Sequence, residues 1–400
     1  LMDLFNKVRT YSRGKDIQNS SIFPYYRPIE ENNGPIVTMG GQTVIMAGSN
    51  NYHGFSQDER VKEASIKAIK KYGVSNNGCR LHNGTLDLHD ELEEKLAKFV
   101  GKESALTFTT GYQTNEGTVV PLIGRKDVIF SDRDNHNSIV QATLISRGMS
   151  LNKNQVVRYK HNDMNHLTRC LSHTSIDVGK LIVSDGVFSM SGTIVDLPNM
   201  VQAAKEAGAK IMLDDAHAIG VIGKKGAGTA SYYGLDDEVD MIVGTFSKSF
   251  GSIGGFVAGS KDLIHYLKYN SPAHIFSASL PSAQAAATIA SLDILLAEPE
   301  RIDKLQYLTK LLRKGLQKLG YRVPEGIVPI IPVILGDDML VFKTWGALME
   351  HGVFTNAAVS PGVREGHQLI RICLMSTHEE EHVNLILEAF SKIKSQVMVN

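Results

Sequence analysis

Short apolar runs alternate with longer amphipathic stretches along most of this chain. The runs are Ala105–Thr109, Val128–Ser131, Gln155–Tyr159, Leu181–Ser184, Lys210–Leu213 and Met241–Val243. Runs this short, separated by helix-length segments, predict strands of a mostly parallel sheet with crossover helices. Ahead of them, Ser56-Gln57-Asp58-Glu59 reads as a capping box opening a helix that stops near Gly73. Leu88, Leu92, Leu96 and Phe99 mark the face of a second helix, ended by Gly101. After about residue 290 the pattern changes. Long amphipathic stretches, Glu300–Leu319 and Asp338–His351, precede the apolar run Ile370–Met375 and a final helix from about His378. The expected fold class is α/β. An irregular N-terminal arm (residues 1–45) leads into a large α/β domain (46–290) and a smaller C-terminal α+β domain (291–400).

The chain has 400 residues, 42% hydrophobic and 21% charged, enough to bury a core without staples. Lys+Arg and Asp+Glu both number 42, so there is no basic excess to drive nucleic-acid binding. Cys79, Cys170 and Cys373 lie far apart with no CxxC pair, which excludes a cysteine-based zinc ribbon and fits a reducing compartment. The residue pattern calls for no metal. The most apolar run, Ile327–Leu335, is short and holds Pro329 and Pro332, whereas a membrane span needs roughly 20 apolar residues. No secretory signal is visible at Leu1-Met2-Asp3-Leu4. The expectation is a cytoplasmic protein, with peripheral contact at the inner membrane surface left open.

Five constellations carry candidate chemistry. Lys248 lies between small residues in Gly244-Thr245-Phe246-Ser247-Lys248-Ser249, just after a buried run. A buried lysine loses its proton readily and becomes a nucleophilic amine; the alternative is a loop lysine snorkelling to water. Asp214-Asp215-Ala216-His217 ends the Lys210 run, where ligands of open α/β sheets bind. A carboxylate there can pair with a protonated ring nitrogen, or simply cap the next segment. Thr110-Gly111-Tyr112 runs from a strand end into a helix whose free amides suit a phosphate. His136, after the Val128 run, could stack on a planar cofactor or cap a turn. Arg371, inside an apolar strand, needs a partner: a substrate carboxylate or a structural carboxylate. Dinucleotide and P-loop fingerprints are absent from the sequence.

Taken in order, these segments resemble the α-oxoamine synthases, on the type I fold of pyridoxal phosphate (PLP) enzymes. The recognisable pieces run from Ser49-Asn50-Asn51-Tyr52-His53-Gly54 through Gly78-Cys79-Arg80-Leu81-His82-Asn83-Gly84-Thr85, Thr110-Gly111-Tyr112, Asn135-His136-Asn137-Ser138-Ile139 and Asp185-Gly186-Val187-Phe188-Ser189-Met190. They continue through Asp214-Asp215-Ala216-His217, the Lys248 segment and Ile275-Phe276-Ser277-Ala278-Ser279-Leu280-Pro281, so the likeness covers nearly the whole chain.

The resemblance implies that Lys248 is the Schiff-base lysine, Asp214 the partner of the pyridine nitrogen and His217 that of the ring's phenolic oxygen. It implies that His136 stacks on the ring, and that Gly111, Tyr112, Ser189 and Thr245 contact the cofactor. Ser277 and Ala278 would reach the phosphate of a neighbouring subunit, which implies a homodimer with active sites at its interface. Asn50 and Arg371, with His136, would bind the amino-acid substrate. Tyr25-Tyr26-Arg27-Pro28-Ile29, Thr245-Phe246-Ser247-Lys248-Ser249 and Ser360-Pro361-Gly362-Val363-Arg364 resemble the branch that joins L-serine to a long-chain acyl-CoA. That reaction gives 3-ketodihydrosphingosine, CoA and CO2, the first step of sphingolipid synthesis. Sister synthases use glycine with acetyl-CoA, alanine with pimeloyl-CoA or cysteate with a fatty acyl-CoA. A non-catalytic partner subunit and a membrane-docked scaffold are rivals from other classes. The first would usually lack the lysine; no basic amphipathic helix stands out for the second. Asn137 stands where the family usually has Ala, His53 where Leu is usual, Cys79 where Ser is common, and Ser191 where an acidic residue is common.

Overall fold

Strands form where the six apolar runs predict them, and the computed structural model joins them with a seventh, unpredicted strand, Gly255–Gly259, into one sheet. It describes residues 3–12, 15, 17–18, 20–151 and 155–397. The sheet order is Ser104–Phe108, Gly255–Gly259, Met241–Thr245, Lys210–Asp214, Lys180–Asp185, Val128–Asp132 and Gln155–Tyr159. The last five run parallel. Gly255–Gly259 is antiparallel to both its neighbours. Four of the strands are buried along their whole length, as a sheet covered by helices on both faces requires. Phe130, Ile182, Leu213 and Ile242 in this core are wholly buried, each contributing about 1.5–3 kcal/mol by leaving water.

The smaller layer contains the antiparallel sheet Ile330–Ile334, Leu369–Cys373, Asn356–Ala358. Helices Glu300–Lys318, Asp338–Glu350 and Glu380–Val397 belong to the same part of the chain. Trp345 is buried there, its indole N–H donating to the Thr355 carbonyl at 2.9 Å, which removes the cost of burying that donor.

Two local expectations change. The arm is not irregular throughout: Ile36–Met39 and Gln42–Met46 form a hairpin, and the second strand pairs in parallel with Val353–Phe354. The helix after Ser56 starts at Glu59 and is capped by Asp58, whose carboxylate accepts from the Arg60 amide. Residues Phe55–Gln57 form a 3-10 turn instead, because Asp58 is the residue that holds the extended φ/ψ a cap needs. No helix among the described residues is long and apolar enough to cross a membrane.

Candidate active site

At the carboxyl ends of the parallel strands lies a cavity of about 260 Å³. Its lining includes Gly111, Tyr112, His136, Ser189, Asp214, His217, Thr245 and Lys248. Eight sequence-predicted positions thus converge from five separate chain segments.

Each is placed by a local cause. Asp214 ends its strand in register with Asp185 at the end of the next one, so the parallel sheet sets two carboxyls side by side. The Asp214 carboxylate accepts from Asn115 Nδ2 at 2.7 Å and from the Ala216 amide at 3.0 Å. Asn115 also donates to Ser138 at 2.8 Å, and Ser138 holds His136 Nδ1 at 2.7 Å. His136 itself caps helix Asn137–Met149. Helix Gly111–Leu122 is capped by Thr110, whose hydroxyl accepts from the Gln113 amide at 3.1 Å. The amides of Gly111 and Tyr112 precede the first helical hydrogen bond and face no helical acceptor. Position 111 must be glycine, since a Cβ there would lie 2.7 Å from Thr245 Oγ1.

The electrostatics are unusual. Burial pushes the Lys248 ammonium below its ordinary value, with Asp214 and Asp185 opposing. Water reaches its chain through the open cavity, which is why its surface is only half-buried although protein crowds the amine. His136 is likewise water-accessible in the cavity mouth yet crowded by protein, and burial lowers its pKa. His217 falls well below the usual imidazole range, first from burial and then from Lys248 and Arg371 nearby. Burial, reinforced by the Asp214 charge, drives the Asp185 carboxyl well above the usual range. Its Oδ2 accepts from the His136 amide at 3.1 Å, while Oδ1 is buried without a partner. Clustered perturbations of this kind mark functional sites more often than structural ones.

Arg371 and Asn50 do not line the cavity. They join it through Ser189, whose carbonyl accepts from Arg371 Nε at 2.6 Å; Arg371 Nη2 donates to Asn50 Oδ1 at 3.0 Å. Arg371 is 5% exposed and has no carboxylate partner among the described residues. Ser277 and Ala278 are not brought to this chain's cavity. Ser277 accepts from Gln113 Nε2 at 3.1 Å, Ala278 is exposed, and the neighbouring Phe276 is 85% exposed.

Three residues at the site were not assigned from sequence: Tyr52, Asn115 and Asp185. Tyr52 is wholly buried, its hydroxyl 2.7 Å from His217 Nδ1. Asp185 ends an apolar run just as Asp214 does, so the same signal was available. Of the departures, His53 is a buried structural residue, Nε2 lying 2.6 Å from the Gly220 carbonyl. Asn137 is exposed and does not line the cavity. The Gly78–Thr85 segment is structural too: buried Arg80 pairs with Glu93 at 2.6 Å and with Thr107 at 3.0 Å.

The residues fit PLP. They offer an amine of lowered pKa, a carboxylate at a strand end, an imidazole at the mouth and free helix-terminal amides for a phosphate. The comparisons with known proteins agree. The model of the family "Aminotransferase class I and II" matches residues 42–390. Serine palmitoyltransferase of Sphingobacterium spiritivorum is 41% identical over 396 residues, 99% of this chain and 98% of that one. 8-Amino-7-oxononanoate synthase 1 of Bacillus subtilis is 37% identical over 373 residues, 93% and 94% of the two chains. A high-resolution structure of serine palmitoyltransferase with PLP superposes with a TM-score of 0.94 at 31% identity, covering both chains fully.

This chain is a PLP-dependent α-oxoamine synthase. The synthase has the type I fold of that superfamily, and pyridoxal phosphate is its cofactor. The structure of the Sphingomonas wittichii serine palmitoyltransferase, at 32% identity and a TM-score of 0.94, covers the whole of both chains as well.

Proposed function

We propose that this synthase condenses L-serine with a long-chain acyl-CoA such as palmitoyl-CoA, releasing CoA and CO2 and giving 3-ketodihydrosphingosine. The observation that carries the reading is full-length similarity: four serine palmitoyltransferases match 97–99% of the chain at 39–41% identity. A second reading, alanine with pimeloyl-CoA, is favoured by the 37–39% identity to four 8-amino-7-oxononanoate synthases, one of them a putative assignment.

In this reading Lys248 would hold the cofactor, with Asp214 facing its ring nitrogen, His217 its ring oxygen and His136 the ring itself. The amides of Gly111 and Tyr112 and the hydroxyls of Ser189 and Thr245 complete the cradle. When bound, PLP supplies an electron sink for charge developing at the substrate Cα. Arg371, held by Ser189 and Asn50, takes the amino acid's carboxylate as a bidentate partner. His136 orients the same carboxylate from the mouth. The Lys248 amine would remove the Cα proton; burial lowers its pKa, which favours the neutral form that a base must have. Asp214, held by Asn115, would keep a proton at the ring nitrogen. Exposed Phe276 and Ala278, turned away from this chain's own cavity, support a homodimer in which Ser277 and Ala278 reach the partner's phosphate site.

The test measures CoA release by purified protein with serine, alanine, glycine or cysteate against short and long acyl-CoA thioesters. Serine with long chains should exceed every other pairing by at least tenfold. Preference for alanine with a pimeloyl thioester would transfer the assignment to the second reading.

A further inference from the structure

The Tyr52 hydroxyl is wholly buried and lies 2.7 Å from His217 Nδ1. A neutral imidazole carries one N–H, so this contact decides which nitrogen is bare. Two arrangements satisfy it. Either the hydroxyl donates and Nε2 carries the proton, or Nδ1 donates and Nε2 is bare. The surroundings choose between them. The Tyr52 hydroxyl is buried, and His217 Nδ1 is the one partner its proton has among the described residues. If Nδ1 donated, the hydroxyl proton would be buried without an acceptor; the hydroxyl therefore donates, and His217 Nδ1 accepts. The scaffold fixes this geometry. The Tyr52 amide donates to the Asn50 carbonyl at 2.8 Å, and the Ser376 amide donates to the Tyr52 carbonyl at 2.7 Å. Asn50 is also the residue that accepts from Arg371.

We propose that Tyr52 is a positioning residue: by donating to His217 Nδ1 it locks the tautomer whose Nε2–H faces the cavity, where it serves as the donor to the cofactor's ring oxygen. His217 lines that cavity, and its Nε2 has no protein partner among the described residues. Burial and the cations around it keep the ring neutral, so the tautomer, rather than a second proton, determines what Nε2 offers. Tyr52 and His217 then form one chain of donors that ends at the cofactor ring, and Asn50, which accepts from both Arg371 and the Tyr52 amide, ties it to the proposed carboxylate anchor.

The inference rests on Lys248 holding PLP in this cavity. The test records the absorption spectrum and cofactor dissociation constant of the holoenzyme with Tyr52→Phe, His217→Phe and both changes together. A donor to the ring oxygen favours the form in which that oxygen carries negative charge. Tyr52→Phe alone should therefore move absorbance from the longer-wavelength to the shorter-wavelength band and weaken cofactor retention about tenfold, the loss of one hydrogen bond. In the His217→Phe background the same change should do neither. An equal effect in both backgrounds overturns the proposal, as does an unmoved spectrum in an otherwise native protein. If Tyr52→Phe does not fold, a ring-fluorinated tyrosine placed at 52 alone keeps the volume and donates more strongly. It should shift the bands the opposite way, and unmoved bands overturn the proposal. The two readings fail separately. Borohydride that does not tag Lys248 in the unaltered protein sinks the cofactor site; tagged Lys248 with an indifferent Tyr52→Phe sinks only the tyrosine's role.

Discussion

Both ends of the central sheet carry a cavity lined with lysines and aspartates. The cavity at the amino ends of the parallel strands is the larger, about 570 Å³ against about 260 Å³. Lys102, Asp127, Lys180, Lys210 and Asp240 line it. Each of these charges has a protein partner. Lys102 donates to the carbonyls of Asp236 and Val239 at 2.5 Å, and Lys180 to that of Ala207 at 3.1 Å. Asp127 accepts from the Gly124 and Gly179 amides, and Lys210 pairs with Asp240 at 2.8 Å. At the carboxyl ends the opposite holds. The Lys248 amine makes no hydrogen bond among the described residues, Asp185 Oδ1 has no partner, and His217 Nε2 is left to the cavity. Size does not distinguish the reactive end; incomplete pairing of buried polar groups does, because such groups keep their interaction free for a ligand.

The largest effect expected from this contrast is at Lys248. Lys248→Ala should lower turnover by at least about 10³-fold, since the proposed nucleophile and base are lost together, and should abolish borohydride labelling while the melting temperature stays near that of the parent. Retained condensation in that variant would place the chemistry elsewhere. Next is Asp214→Asn, which removes the charge proposed to face the ring nitrogen and should cost on the order of 10²–10³-fold in turnover, measured at saturating serine. Arg371→Ala comes third. Loss of a charge-assisted bidentate contact costs on the order of 1.5–3 kcal/mol, read as a rise of roughly 10- to 150-fold in the amino acid's KM with PLP affinity little changed. An unmoved KM would mean that Ser189 and Asn50 are the only partners Arg371 has.

The same contrast explains how much was legible in the residues. Asp214, His217, Lys248 and His136 each follow an apolar run, and the sheet rule sends run ends to one edge. The strand Gly255–Gly259 was missed because its bounding glycines, needed where a Cβ at 255 would meet Gly111 at 2.8 Å, mimic a loop. With it went the two antiparallel pairings that bring Thr245 and Gly111 together. Asn115 was hidden by periodicity, as one polar position among the buried ones of helix Gly111–Leu122. Tyr52 was hidden by distance: its partner is 165 residues away, and only the closed fold joins them. The arm failed for a similar reason, since Gln42–Met46 completes its sheet with Val353–Phe354 near the other end of the chain.

The smallest expected effect tests the other side of the contrast. Lys210 and Asp240 form the most exposed pair at the amino ends, with side chains 71% and 31% accessible. A pair in that setting gains little, because water screens it and two long side chains must be ordered. Lys210→Ala should shift stability by no more than about 0.5 kcal/mol in a denaturant titration, and Asp240 keeps its second contact, the Ile211 amide at 2.8 Å. Turnover should not move at all, because none of the buried side-chain polar atoms lining this end is left without a partner among the described residues. A tenfold fall in CoA release from Lys210→Ala, with stability intact, would mean that the larger cavity takes part in the reaction, and pairing would no longer tell the two ends apart.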